Sequence, residues 1–216
     1  MAKRCKGFNS KCFLFTYLIF VGILLVLWVN RLPLMHEDQR EIPADLQAYI
    51  ASPPRSLPSF SLNMADESVL TNKWFEDKWS FVYFTHSHCL PECQPALEYM
   101  NRLQLAFANK DFNFLAIGID GKHETANDLA SFLDLQQYKL TAVTASENKV
   151  EALAKTFIAL FLRTDFSGGR YQIEQEHHIF VVDPKGRVYA TFIPPYTSTS
   201  IQRKFLKLRL FYARSE

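Results

Sequence analysis

Two cysteines and two histidines fall within residues 86–93, in the stretch Thr85-His86-Ser87-His88-Cys89-Leu90-Pro91-Glu92-Cys93. Thiols serve as nucleophiles, redox couples and soft metal ligands, and imidazoles as bases and metal ligands. A C-x-x-x-C spacing at the start of a helix puts both sulfurs on one face. Their Cα atoms then stand ~6 Å apart along the axis, within reach of a disulfide. The unpaired N–H groups and partial positive charge of a helix N-terminus favour thiolate over thiol. C-x-x-C is the usual spacing of a thioredoxin-like redox pair, and the wider spacing opens the bite for an ion such as Cu(I) or zinc. The plain alternative is a pair of buried cysteines packing as small hydrophobes.

A third ligand could come from His86, His88, His123, His177 or His178. His86 and His88 with Cys89 and Cys93 would make a tightly wrapped Cys2His2 zinc site. His177 and His178 open a strand-like segment; neighbours on a strand point to opposite faces, so only one of them can face the cysteines. As a redox pair, Cys89 would be the attacking thiolate and Cys93 the resolving one. A peroxidase-like role would need a cation beside Cys89; no arginine is near it in sequence, and Arg170 is a remote candidate.

These residues are positioned by alternating strand and helix patterns. Residues 81–84 form a short apolar run of strand formers, followed by a helical pattern over 92–108. A strand over 112–119, a helix over 124–135, a strand over 140–143 and a helix over 146–161 continue the alternation. Strands over 178–182 and 188–193 flank the turn Asp183-Pro184-Lys185-Gly186. The last helix, 200–212, sets Phe205, Leu208 and Phe211 on one side and Lys204, Lys207 and Arg209 on a solvated face. Strand–helix alternation predicts an α/β domain with a mostly parallel central sheet, helices on both faces and an antiparallel edge from the final hairpin.

Residues 12–29 are apolar and uncharged, and as a helix would cover roughly 27 Å, close to the ~30 Å hydrocarbon core. The flank Trp28-Val29-Asn30-Arg31 lacks a small-x-small cleavage signal, which favours an uncleaved anchor over a signal peptide. Lys3, Arg4, Lys6 and Lys11 precede the run, so the positive-inside rule holds residues 1–11 in the cytoplasm and exports the remainder. Cys89 and Cys93 would then lie in an oxidising compartment, as in a bacterial inner-membrane protein with its C-terminal domain in the periplasm, away from Cys5 and Cys12. Residues 30–56, with Pro33, Pro43, Pro53 and Pro54, read as a tether with a short helix near 45–50, leaving 57–216 as the folded domain. A net charge of only +2 gives no nucleic-acid footprint.

The stretch from Phe84 to Leu97 resembles the SCO/SenC signature, a strand leading into T-x-C-P-x-x-C-P-x-x-L. Leu57-Pro58-Ser59-Phe60-Ser61-Leu62 is similar to that family's opening hairpin, Ala116-Ile117-Gly118-Ile119-Asp120 to its second core strand, and residues 179–186 to its late hairpin. The resemblance covers residues 56–212 and the anchor. It implies a membrane-anchored, thioredoxin-like copper protein that assists assembly of the copper centre of cytochrome c oxidase. Cys89 and Cys93 would hold Cu(I) or Cu(II), and the partner would be a respiratory oxidase subunit or another cysteine-containing client. Counted back from the Asp-Pro turn, the family's ligand histidine falls at Gln175. His177, two residues on and on the same face of an extended chain, is the expected ligand, with His178 in reserve. Leu90 stands where the family has proline, and Asp120 is followed by Gly121-Lys122-His123 rather than Pro-x-Arg-Asp. The alternative function is a thiol–disulfide oxidoreductase acting on client cysteines.

Overall fold

A computed structural model describes residues 10–31, 41–107, 112–196 and 200–215. The basic flank 1–9, with Cys5, and residues 32–40 of the expected tether lie outside the described residues. The chain divides into an N-terminal unit ending at Ile42 and a main unit from Pro43 to Arg214.

In the first unit, helix α1 (Ser10–Arg31) exposes every described side chain of residues 14–28 except Val21. Among the described residues no helix is long and apolar enough to cross a membrane. The expected span, 12–29, extends past both ends of that stretch.

The main unit is built on an eight-stranded sheet. Its strands are β1 (Ile50–Ser56), β2 (Ser61–Met64), β3 (Val69–Thr71), β4 (Trp79–Thr85), β5 (Phe112–Gly118), β6 (Thr141–Thr144), β9 (Ile179–Val182) and β10 (Arg187–Phe192), in the order β1-β10-β9-β4-β5-β6-β2-β3. Strands β7 (Phe161–Asp165) and β8 (Tyr171–Gln175) form a separate antiparallel hairpin. The helices are α2 (Gln94–Ala106), α3 (Ala126–Leu135), α4 (Glu147–Phe157) and α5 (Ser200–Ser215).

Side-chain alternation along β4 organises two cores. Phe81 and Tyr83 face one side with Leu97 and Met100 of α2, Leu129 and Leu133 of α3, and Phe205 and Leu208 of α5. Val82 and Phe84 face the other with Val150, Leu153 and Phe157 of α4. With both faces covered, β4 is buried along its whole length, hence its near-continuous apolar sequence.

Several expectations need correction. The sheet is mixed: only β4/β5 and β5/β6 pair in parallel, and β9 runs antiparallel to β4. The chain reaches β9 from a hairpin instead of a crossover helix, so no parallel return is imposed. Residues 50–56, assigned to the tether, are strand β1 against β10. Prolines 53 and 54 are tolerated there because β1 is the sheet's edge and its register slips between Ile50 and Arg55. The short helix near 45–50 is a pair of hydrogen-bonded turns closed by Leu46 and Ile50 N–H groups. Helix α4 stops at Phe157 because Ile158 turns left-handed (φ 59°), where the 3.6-residue pattern had extended to 161.

Candidate functional site

The dithiol sits at the C-terminal end of β4. After Thr85 the chain turns sharply: the Cys89 N–H bonds to the His86 carbonyl (3.3 Å) and the Cys93 N–H to the Cys89 carbonyl (3.1 Å). Cys93 is the N-cap of α2, its carbonyl accepting from Leu97, and Pro95 lies in the first turn. Cys89 thus precedes the helix, as the helical pattern beginning at residue 92 implies, and Cys93 caps the helix instead of lying just inside it. The single turn still brings their Cα atoms to 5.5 Å, and the two sulfurs are joined as a disulfide. The Thr85 hydroxyl lies 3.2 Å from Cys89 Sγ. Both cysteines pack in the first core. Cys89 also lines a cavity of about 700 Å³, of which Cys93 is not a wall residue.

His177 lines the same cavity. Its Nδ1 is 2.7 Å from the Tyr83 hydroxyl and 3.3 Å from Gln175 Nε2. The Gln175 amide donates to the Tyr83 hydroxyl and to the Phe84 carbonyl (2.9 Å). Gln175 and His177 therefore share a face, as the spacing of two requires, and both are held by β4. Nδ1 being engaged, Nε2 is the nitrogen left for a ligand. Burial lowers the His177 pKa, with Glu92 opposing, so the imidazole is neutral at physiological pH. Burial also raises the Tyr83 pKa, leaving a protonated phenol as the partner of Nδ1.

The other histidines separate cleanly. His178 stands 3.5 Å from Glu176 and edge-on to Phe180, whose side chain belongs to the second core. His123 has both ring nitrogens occupied, by Asp120 and Arg163. His88 is exposed, bonded to the Ser87 hydroxyl, and borders the cavity. His86 also borders it but is buried, with its Nδ1 unpartnered and its pKa pushed down to about 4 by desolvation. With the cysteines in a disulfide, no group of three or more His, Cys, Asp or Glu side chains among the described residues is arranged to hold a metal, the His86/His88/Cys89/Cys93 zinc constellation included. Arg170, remote in sequence, lies on the cavity wall.

A network of polar residues around Asp120, with Tyr171, Arg163 and Glu124 to which the sequence assigned no role, fixes the surroundings. The buried Asp120 carboxylate accepts from Tyr171 (2.5 Å) and Arg163 (3.1 Å) of the β7–β8 hairpin and lies 2.9 Å from His123. The Arg163 guanidinium covers the Tyr171 ring at 4.2 Å. Glu124 accepts from the Ser87 N–H at 2.5 Å, fixing the loop before Cys89. One signal was available: Tyr83 carries a hydroxyl into the apolar run 81–84, and a buried phenol needs a partner.

The disulfide at the start of α2 and a neutral His177 share one cavity on a thioredoxin-like α/β sheet. Residues 50–208 match the SCO1/SenC family model, and the chain belongs to that family. Protein SenC of Rhodobacter capsulatus is 25% identical over 141 residues, covering 64% of this chain and 61% of that protein. The crystal structure of Arabidopsis thaliana ScoI with copper bound superposes with a TM-score of 0.61 at 19% identity, covering 71% of this chain and 98% of that one. BsSco, described by a disulfide switch and as a member of the Sco family of cytochrome c oxidase assembly proteins, gives 0.56 at 18%, covering 75% and 94%. The chain spans about half the length of the curated relatives it matches.

Proposed function

We propose that this chain is a membrane-anchored, copper-binding assembly factor for the copper centre of cytochrome c oxidase, with Cys89, Cys93 and His177 as the copper ligands. The observation that carries the reading is the shared cavity of Cys89 and His177, with His177 held through Nδ1. The donor set fits: two thiolates suit Cu(I), and an added imidazole accommodates Cu(II). Opening the disulfide takes two electrons and two protons, so reduction precedes loading. Copper, when bound, would be the cargo passed to a client site. The chain's own residues supply the thiolates and orient a neutral imidazole through Tyr83 and Gln175. Membership of the family and the copper-bound state of a structural relative support the reading.

The uncharged run 12–29, its helical conformation and the basic residues before it support a single-pass anchor with the C-terminal domain outside. A bacterial inner membrane with a periplasmic domain is the location this favours. The function is tested in the cell of origin by deleting the gene and measuring the copper content of the purified oxidase. The reading requires loss of that copper and its return with wild type but not with Cys89→Ser. Unchanged oxidase copper in the deletion would refute it.

The disulfide itself favours a second reading, a thiol–disulfide oxidoreductase acting on client cysteines. Full activity of Cys89→Ser in a disulfide-exchange assay would remove it.

A further inference from the structure

Strand β8 pairs with β7 on one edge only, and among the described residues its other edge has no strand partner. The phase of the pairing is fixed by two backbone bonds, Phe166 N–H to the Arg170 carbonyl (2.7 Å) and Glu176 N–H to the Leu160 carbonyl (2.9 Å). Bonded and non-bonded pairs alternate along an antiparallel ladder, so Gln172 and Glu174 bond to β7. The N–H and C=O groups of Tyr171, Ile173 and Gln175 therefore point to the open edge. That edge is held rigidly, because the Tyr171 side chain is bonded to Asp120 and the Gln175 side chain to the Phe84 carbonyl. It borders the Cys89 cavity: consecutive residues of β8, not alternate ones, form the wall, as happens when a strand presents its edge instead of a face.

We infer that the open edge of β8 is the docking strand for the client, which enters as an extended polypeptide segment carrying a cysteine. The inference rests on the reading of the dithiol as acting on client proteins. The occupant follows from two features that meet in one cavity. Alternating unpaired N–H and C=O groups accept an extended backbone by strand addition. The disulfide beside them exchanges with a thiolate. In that exchange the client thiolate attacks Cys89 Sγ, the Cys89–Cys93 bond breaks, and Cys93 leaves as a thiolate that takes a proton from water. The client sulfur is oxidised into the mixed disulfide and Cys93 is reduced. Cys89 is the sulfur on the cavity, so the pairing brings the client's cysteine to the reachable partner.

The test uses the full chain with Cys5→Ser, Cys12→Ser and Cys93→Ser, reduced, so that Cys89 is its one thiol. The probe is a peptide of alternating threonine and valine with one central cysteine, activated as its thionitrobenzoate disulfide. Attack by Cys89 releases coloured thionitrobenzoate and traps the complex. A second peptide has alternate backbone amides N-methylated and cannot pair along the edge. The unmodified peptide should react roughly tenfold faster, the worth of one or two hydrogen bonds. In its trapped complex the Tyr171, Ile173 and Gln175 amides should exchange with solvent about tenfold more slowly, with Gln172 and Glu174 unchanged. Equal rates without added protection would overturn the inference, as would reaction with the thionitrobenzoate disulfide of mercaptoethanol but not with either peptide. Copper binding is measured separately: a chain that takes copper yet shows equal rates keeps its metal site and loses its docking edge.

Discussion

The Tyr83 hydroxyl and His177 Nδ1 meet at 2.7 Å, linking the core strand under the cysteine pair to the short connection between β8 and β9. For Nε2 to bind a metal, the ring proton must sit on Nδ1 and be donated to the Tyr83 oxygen. A Tyr83 hydroxyl that accepts from Nδ1 would hold the tautomer that a ligand histidine needs.

Tyr83→Phe should therefore weaken copper binding about tenfold, the usual cost of losing the group that orients a ligand histidine. Competition titration reads the affinity, and circular dichroism confirms that the fold is kept. Unchanged affinity would mean that His177 needs no such partner.

Asp120 fastens the β7–β8 hairpin through Tyr171 and Arg163, and its hydrogen bond, with burial second, pushes the Tyr171 pKa up to about 12. Asp120→Asn should return the Tyr171 titration toward 10 and cost roughly 2 kcal/mol. Amide exchange should speed up along β7 and β8 and remain unchanged in β4. Ultraviolet titration and hydrogen exchange check the two effects.

Glu124 has its pKa raised, first by burial and with Asp120 adding to the rise; the Ser87 hydroxyl and N–H, and His88, oppose. The folded state therefore holds this proton more tightly than the unfolded state does. Stability is lost as pH rises from the ordinary value of 4.5 through the raised one. Glu124→Gln, which can still accept from the Ser87 N–H, should be more stable than wild type above that window and show no gain below it. Denaturant melts across pH give the sign.

Strand β1 belongs to the sheet, and Arg55 donates to the Thr156 and Phe157 carbonyls at the end of α4. Removal of residues 1–42 should leave the melting temperature of the main unit unchanged. Removal of residues 1–56 should lower it by roughly 5 °C or more. Equal melting temperatures would return 50–56 to the tether.

Much of this architecture could be read from the chain because it rests on local patterns. The run 81–84, the helical spacing of Leu97, Met100 and Leu103, and the turn at Asp183 to Gly186 each specify an element without reference to the others. The i, i+4 cysteines implied their own proximity, and the spacing of Gln175 and His177 implied a common face. What was hidden depended on distant partners. The β7–β8 hairpin has few apolar residues and is held by a carboxylate, Asp120, on a loop far away in sequence; its one local sign was Gly168-Gly169, both at positive φ. Strand β1 was hidden by prolines that only an edge position tolerates. Likewise the antiparallel course of β9 depended on recognising that hairpin.

The central claim is that Cys89, Cys93 and His177 form one copper site, and a Cu(I) titration of the reduced full chain against a competing chelator tests it most directly. The variants to compare with wild type are Cys89→Ser, His177→Ala and His178→Ala. The expected result is one-to-one binding, abolished in Cys89→Ser, weakened in His177→Ala and unchanged in His178→Ala. Failure of the reduced wild-type chain to take copper from the chelator would contradict the account and leave the dithiol to electron transfer alone.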